Sequence, residues 1–240
     1  MAGRAALVTG ASSGIGLAIA HLLGAEGHAL TVAARRPEKL EAAARELADA
    51  GCEVVAVAGN LGLEEDVRRV VGTHRERYGR LDVLVNNAGV GFGEPAGELT
   101  TKRVDLQLNT NIRSTILFYR ECLDLLRAAG AEHGSALVVN TSSISGKSGR
   151  PWLSVYSATK AAVIAFTQAM SKELAGDGIK STALCPAFVD TPMADFVKDR
   201  IPPEEMIRTS DVAEAVRFLL RTSPACLVPE IVFERRGEGL

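Results

Sequence analysis

Tyr156 and Lys160 stand four positions apart in the run Tyr156-Ser157-Ala158-Thr159-Lys160, within a stretch whose apolar periodicity predicts a helix. That spacing puts a phenol and an ammonium on one helical face. A free tyrosine titrates near pH ~10 and is a poor proton carrier at neutrality. A neighbouring cation favours the phenolate, and the pair becomes a candidate acid–base unit. In isolation the pair reads better as an exposed helix pair than as a site. Its neighbours change that. The predicted strand Ala136–Thr141 runs into Ser142-Ser143, followed by Gly146 and Gly149, and another predicted strand ends in Asn86-Asn87-Ala88-Gly89. Small polar groups at the carboxyl ends of strands are where open parallel sheets bind ligands.

A second constellation lies near the start of the chain, in Thr9-Gly10-Ala11-Ser12-Ser13-Gly14-Ile15-Gly16. Gly10 permits a tight turn, Gly14 lets a pyrophosphate approach the backbone, and Gly16 lets helix and strand meet closely. The following helix offers free N–H groups and a positive dipole end. The spacing departs from the general G-x-G-x-x-G fingerprint, so a plain flexible turn is the competing reading. At the end of the second predicted strand stand Ala33-Ala34-Arg35-Arg36. A carboxylate there would take a ribose 2′-hydroxyl, whereas arginines suit a 2′-phosphate. Arg35 and Arg36 therefore point to NADP(H), with NAD(H) the second choice and a solvated basic pair the bland alternative.

The elements that must position these groups are legible as alternating short and long segments. Strands are predicted at Ala5–Thr9, Ala29–Ala33, Glu53–Val57, Val83–Asn86, Ala136–Thr141, Lys180–Leu184 and Ile231–Glu234. Helices are predicted at Ile15–Glu26, Pro37–Ala50, Glu64–Tyr78, Thr101–Ala128, Val155–Ala175 and Asp211–Leu220. Strands that read as unbroken apolar runs between helices imply a parallel sheet covered on both faces. The fold class is α/β, a doubly wound Rossmann sheet of about seven strands in a single domain over residues 1–240. A cofactor half (1–135) precedes a catalytic and substrate half (136–240), with a mobile lid over 190–209. Pro37 suits the first helical turn and Gly51 a left-handed helix stop. Thr100 is a plausible helix cap without the usual acid at the third position after it.

Composition narrows the function classes. The 240 residues carry 27 Lys and Arg against 29 Asp and Glu, a formal charge of −2. That charge offers no attraction to nucleic acid or to an anionic membrane. The four cysteines (Cys52, Cys122, Cys185 and Cys226) form no close pair, and no two histidines share i, i+4 spacing, so no metal site is expected. The first apolar run is too short for a signal-peptide core, and no stretch is long enough to span a bilayer. A cytoplasmic protein is the expectation.

With these residues in order, the chain resembles a classical short-chain dehydrogenase/reductase over nearly its full length. The resemblance rests on the glycine turn, Asn86-Asn87-Ala88-Gly89, Asn111, Ser143, Tyr156-x-x-x-Lys160 and Pro186…Thr191, and on a spacing of thirteen residues from Ser143 to Tyr156. It implies that Tyr156 is the proton donor to a carbonyl oxygen and that Ser143 hydrogen-bonds that oxygen. It also implies that Lys160 holds the nicotinamide ribose and lowers the tyrosine pKa. Asn111, with Asn109 as rival, would anchor a water linking Lys160 to solvent; a side chain that caps or satisfies a helix kink is the alternative. By the same resemblance Gly10, Ser12, Ser13, Gly14, Ile15, Gly16, Arg35, Arg36, Asn60, Leu61, Asn87, Ala88 and Gly89 would line the cofactor. Pro186, Val189 and Thr191 would fix its carboxamide.

The chain departs from the family in several places. Asn60-Leu61 replaces an acidic residue before a hydrophobic one, Pro186-Ala187 replaces Pro-Gly, and Ser13 stands where many NADPH users carry a basic residue. Only 25 positions separate Pro186 from Asp211, a short lid. Val228–Glu234 replaces the common glycine-rich ending. Around the site Val90, Phe92, Trp152, Leu153, Phe188, Met193 and Phe196 form an apolar set. Ser145, Trp152, Phe188 and Met193 are the substrate-facing candidates, Trp152 foremost, and an uncharged ketone or 3-oxoacyl thioester fits them. The rival functions are an epimerase or dehydratase relative and a non-catalytic NAD(P)-binding sensor or scaffold. Family members pair through their two long helices, here 101–128 and 155–175, so a homodimer or homotetramer is expected. Ala158, Ala161, Ala162, Ala165 and Ala169 would permit close helix approach there, unless they pack only within the subunit.

Overall fold

The structure is a computed structural model that describes residues 3–237. Seven strands form one wholly parallel sheet in the order β3-β2-β1-β4-β5-β6-β7. They are β1 (Ala5–Thr9), β2 (Ala29–Ala34), β3 (Val54–Ala58), β4 (Val83–Asn86), β5 (Ala136–Thr141), β6 (Ile179–Pro186) and β7 (Glu230–Phe233). Each interior strand feeds alternate side chains to opposite faces, as a period of two requires. Ala6, Val8, Leu30, Val32, Val83, Val85, Leu137 and Val139 enter one core. Leu7, Ala33, Leu84, Ala136 and Val138 enter the other.

The first core is covered by α1 (Gly14–Ala25), α2 (Pro37–Asp49) and α7 (Thr209–Arg221), through Ile19, Leu23, Leu40, Leu47, Val212 and Val216. The second is covered by α3 (Glu64–Tyr78), α5 (Ser114–His133) and the end of α6 (Ser154–Glu173), through Val67, Val71, Phe118, Leu126 and Leu174. The doubly wound three-layer fold expected from the apolar runs is therefore present. Its order reverses between β1 and β4, the switch point that places a ligand crevice at their carboxyl ends.

Local signals explain most of the boundaries. Gly51 follows α2 at φ +86° and Pro37 opens it. Thr100 caps α4 (Thr101–Leu108) by accepting from the Arg103 N–H. The predicted helix Thr101–Ala128 is corrected in two ways. It is interrupted by one π-helical turn over Asn109–Arg113, and it runs on to His133 before Gly134 ends it at φ +69°. Gly130 does not stop the helix. A β-carbon there would collide with the Asp177 carbonyl, so this glycine lets α5 pass close to the turn before β6. Residues 238–240 lie outside the described residues. Among the described residues no helix is long and apolar enough to cross a membrane, and no His/Cys/Asp/Glu cluster could hold a metal.

Candidate active site

The glycine turn is held shut by neighbours far away in sequence. Gly10 (φ +67°) donates its N–H to the Ala33 carbonyl at 2.7 Å, and a β-carbon on it would lie 2.9 Å from the Ala88 main chain. On Gly16 a β-carbon would overlap the Gly10 carbonyl. Thr9 Oγ1 donates to the Val85 carbonyl and accepts the N–H groups of Asn87 and Ala88. The Asn87 carboxamide donates to the carbonyls of Thr9 and Gly10 and accepts from Thr141 Oγ1. Helix α1 opens at Gly14 after an exposed Ser13 that makes no side-chain cap, so its first N–H groups face outward. A glycine wall beside an uncapped helix N-terminus fits a dinucleotide pyrophosphate.

Farther along this edge, Arg35 and Arg36 are exposed beyond the buried Ala34, and neither meets a carboxylate among the described residues. Asn60 is exposed, and its carboxamide oxygen accepts the Gly62 N–H. The Leu61 side chain is buried in the core beneath α3, so only its main chain is free to meet a cofactor. Val189 is likewise a core residue and pairs with Ile207 in an isolated bridge. Thr191 packs its methyl group against Gly14.

The groups singled out for chemistry converge at the ends of β4, β5 and β6. Ser143 donates to the Pro186 carbonyl at 3.4 Å, accepts the Ser145 N–H at 3.2 Å and lies near enough to the Tyr156 phenol to draw its pKa down. The Tyr156 ring lies 3.2 Å from where a Gly91 β-carbon would sit. Lys160 is buried and donates its ammonium to the Thr141 carbonyl at 2.8 Å, 5.7 Å from the Tyr156 ring centre. Helix α6 is docked by Ser142, whose hydroxyl donates to the Lys160 carbonyl, and by Gly146, which leaves no room for a β-carbon against that turn.

Burial acts oppositely on the two ionisable groups, as it disfavours whichever form is charged. It pushes the Tyr156 phenol above its ordinary range, offset in part by the Ser143 hydrogen bond. It pulls the Lys160 ammonium down to about 8. In the protein alone the ammonium is turned to Thr141, and burial decides the direction of the phenol's shift. At neutral pH the phenol keeps its proton, the state a proton donor needs.

Asn111 lies in the π-helical turn. Its carboxamide accepts the Val90 N–H at 2.8 Å and donates to the Val90 carbonyl and to Thr159 Oγ1. These three bonds clamp the loop after β4 to α6. Asn109, the rival, sets its β-carbon against Gly62 instead.

On the substrate side, Trp152 is 72% exposed and adopts φ +64°, the only non-glycine residue with positive φ among those described. Its carbonyl accepts the Glu94 N–H at 2.7 Å, tying it to the loop that packs on Tyr156. Phe188 meets Phe196 edge to face, and Met193 is exposed. Ser145 differs from this group. It is buried, and its N–H serves Ser143, so it supports the site from behind. The segment after Thr191 forms two short 3-10 turns, Pro192–Val197 and Pro203–Glu205, closed at its base by hydrogen bonds between Ile207 and both Phe188 and Asp190.

The short chain dehydrogenase family model matches residues 4–201. The chain belongs to this family. Among solved structures, this short-chain dehydrogenase is similar to an actinorhodin polyketide ketoreductase variant with NADPH (TM-score 0.86, 35% identity, covering 96% of this chain and 94% of that one). It is similar also to a 3-ketoacyl-(acyl-carrier-protein) reductase from Brucella melitensis complexed with NADH (TM-score 0.86, 30% identity, 96% and 95% covered). A curated relative, the 2-(R)-hydroxypropyl-CoM dehydrogenase of Xanthobacter autotrophicus, is 36% identical over 230 residues, 90% of each chain.

Several residues that hold this dehydrogenase site together were missed in sequence. Thr9, Thr141, Ser142 and Thr159 carry no chemistry of their own but fix Asn87, Lys160 and Asn111. Their only sequence signal is a small hydroxyl at or just past a strand end, or one position ahead of Lys160.

Proposed function

We propose that this short-chain dehydrogenase transfers a hydride between NADP(H) and an uncharged ketone or 3-oxoacyl thioester, or the matching secondary alcohol, with Tyr156 as acid–base. The observation that carries the reading is the convergence of Ser143, the Tyr156 phenol and a buried Lys160, 5.7 Å from the tyrosine ring centre, at the same sheet edge as the glycine cradle. The reduced nicotinamide, when bound, supplies the hydride. The protein's part is to hold the carbonyl oxygen between two hydroxyls. Ser143 stabilises the charge growing on that oxygen, and Tyr156 releases its proton to it. Lys160 and Thr191 would hold the nicotinamide end, and Gly14, Ile15 and Gly16 the pyrophosphate. The names of the relatives, a polyketide ketoreductase and a 3-ketoacyl reductase, favour a β-keto substrate class. Apolar Trp152, Phe188 and Met193 give it a rim without charge. Consumption of NADPH with a panel of ketones and 3-oxoacyl thioesters tests the reading; cofactor binding with no turnover of any carbonyl would favour a sensor.

NADP(H) is the favoured cofactor because Arg35 and Arg36, which meet no carboxylate among the described residues, stand at the end of β2, where a 2′-phosphate is expected. NAD(H) is the second, as the Brucella relative was solved with NADH. Arg35→Ala is expected to weaken NADPH about tenfold or more and NADH less than twofold, since a charge-assisted contact to phosphate is worth roughly 1.5–3 kcal/mol. Equal losses for both cofactors in fluorescence titrations would refute the assignment.

The alanine stripe on α6 faces outward: Ala158, Ala161, Ala162, Ala165 and Ala169 are all exposed in the single chain. They do not pack within the subunit, which supports the homo-oligomer through α4–α5 and α6. Ala165→Arg is expected to convert that oligomer to a monomer in light scattering; a wild-type protein already monomeric at micromolar concentration would overturn the assembly.

A further inference from the structure

The amino end of the sheet, opposite the active site, holds a cavity of about 180 Å³ whose lining includes Arg4, His28, Asp82, His133, Lys180 and Thr222. Its charges do not balance among the described residues. Asp82 is already engaged: it accepts the Ala5 N–H at 2.8 Å and two Arg80 donors at 2.9 and 2.6 Å. Lys180, 5% exposed, gives its ammonium only to neutral acceptors, the carbonyls of Leu219 and Thr222 and the Thr222 hydroxyl. It caps the end of α7 and meets no carboxylate among the described residues. Arg4 has no hydrogen bond or ion pair from its side chain there either. His28, 4% exposed, turns Nδ1 to the Leu23 carbonyl at 3.2 Å, which leaves Nε2 buried without a partner.

The other charged groups nearby are spent. Glu26, at the end of α1, pairs with Arg217 and Arg221. Glu132 pairs with Arg80, and His133 faces that same Arg80 at 2.7 Å. Glu53, in the adjoining notch that shares Arg4 and His28, pairs with Arg77. A neutral donor on His28 Nε2 would complete the imidazole but leave two cations without a counter-ion. An oxyanion answers both needs. Arg4 can grip it with its fork of N–H groups, Lys180 acts through its field, and a proton on His28 turns Nε2 into a donor.

We propose that this cavity is a binding site for a small oxyanion, taken up together with one proton on His28. Burial, with Arg4 close by, holds the His28 pKa below its ordinary value, against weaker pulls from the Leu23 carbonyl, Asp82 and Glu26. The free protein therefore keeps the imidazole neutral at neutral pH, and the anion binds more tightly as pH falls.

Sulfate is the probe, because it keeps its double charge from about pH 8 to about pH 5.5, where histidine titrates. Calorimetry and ring-nitrogen NMR are run at constant ionic strength with chloride as the balancing salt. The expected result is millimolar binding, at least fivefold tighter at the lower pH, with the His28 Nε2 resonance moving to its protonated position. Arg4→Ala should weaken sulfate about tenfold, since its target is exposed and the fold is untouched. His28→Gln should remove the pH dependence. Parallel titration with acetate assigns the site to tetrahedral dianions or to carboxylates, whichever moves His28 at lower concentration. No His28 response to either anion would overturn the proposal. So would equal sulfate binding by wild type and Arg4→Ala.

Discussion

Tyr156→Phe is expected to lower carbonyl reduction about a thousandfold while leaving NADPH affinity within about twofold, as befits loss of a general acid. The substitution is clean because the ring that packs against Gly91 is retained and only the hydroxyl goes. That hydroxyl is the group beside Ser143, so under the proposed mechanism the variant has no proton to pass to the oxygen that Ser143 would hold. Burial raises the Tyr156 pKa, so the wild-type phenol is protonated through the neutral range and reduction should not need acid. Alcohol oxidation needs the deprotonated form and should accelerate as pH rises. Rapid-mixing turnover set beside cofactor fluorescence reads both quantities. Turnover within tenfold of wild type would remove Tyr156 as the donor, and a parallel loss of NADPH affinity would show that the hydroxyl was holding the cofactor instead.

How far the sequence reads correctly depends on whether the relevant force is local. β1, β4 and β5 are legible to the residue because both of their faces are buried, which demands unbroken Ala, Val and Leu, and because Thr9, Asn86 and Thr141 turn polar where the ligand edge begins. The glycine turn is legible for the same reason, since its spacing serves its own geometry. The π-helical turn at Asn109–Arg113 has no such local signature. It is held by hydrogen bonds from Asn111 to Val90, twenty-one positions away, and only the fold brings them together. Trp152 is another case. Positive φ is a glycine habit, and nothing in Pro151-Trp152-Leu153 announces it. The Glu94 N–H bonded to its carbonyl is one restraint that holds it there. Leu61 and Val189 read as cofactor contacts from their place in the family pattern, yet core packing claims both side chains. Motif position reports which backbone is near a ligand. It does not report which way an apolar side chain turns.

Lys160→Met is expected to give a cofactor-free protein that is more stable than wild type at neutral pH and nearly inactive. Burial lowers the Lys160 pKa to about 8, whereas in the unfolded chain it titrates near ~10.4. Below pH 8 both states hold the proton, and the native state bears the whole cost of a buried ammonium. A shift of roughly two units corresponds to about 3 kcal/mol. Methionine fills the space of the lysine stem, and what is lost is the bond to the Thr141 carbonyl, worth about 1 kcal/mol. The net gain is therefore on the order of 1–2 kcal/mol by this difference. Between about pH 8 and about pH 10.4 the unfolded wild-type chain binds more protons than the native one, so wild-type stability climbs with pH. The variant lacks that climb, so its advantage should vanish within the same window and reverse by about 1 kcal/mol at its upper end, where only the lost bond to Thr141 counts. Activity should fall about a hundredfold or more, since the cation beside Tyr156 goes with the side chain. Urea unfolding at about pH 7 and about pH 10 separates the outcomes. A variant less stable than wild type at neutral pH would mean that the protein compensates the buried ammonium more fully than its single bond to Thr141 implies. A gain that persists unchanged at high pH would place the benefit in packing rather than charge.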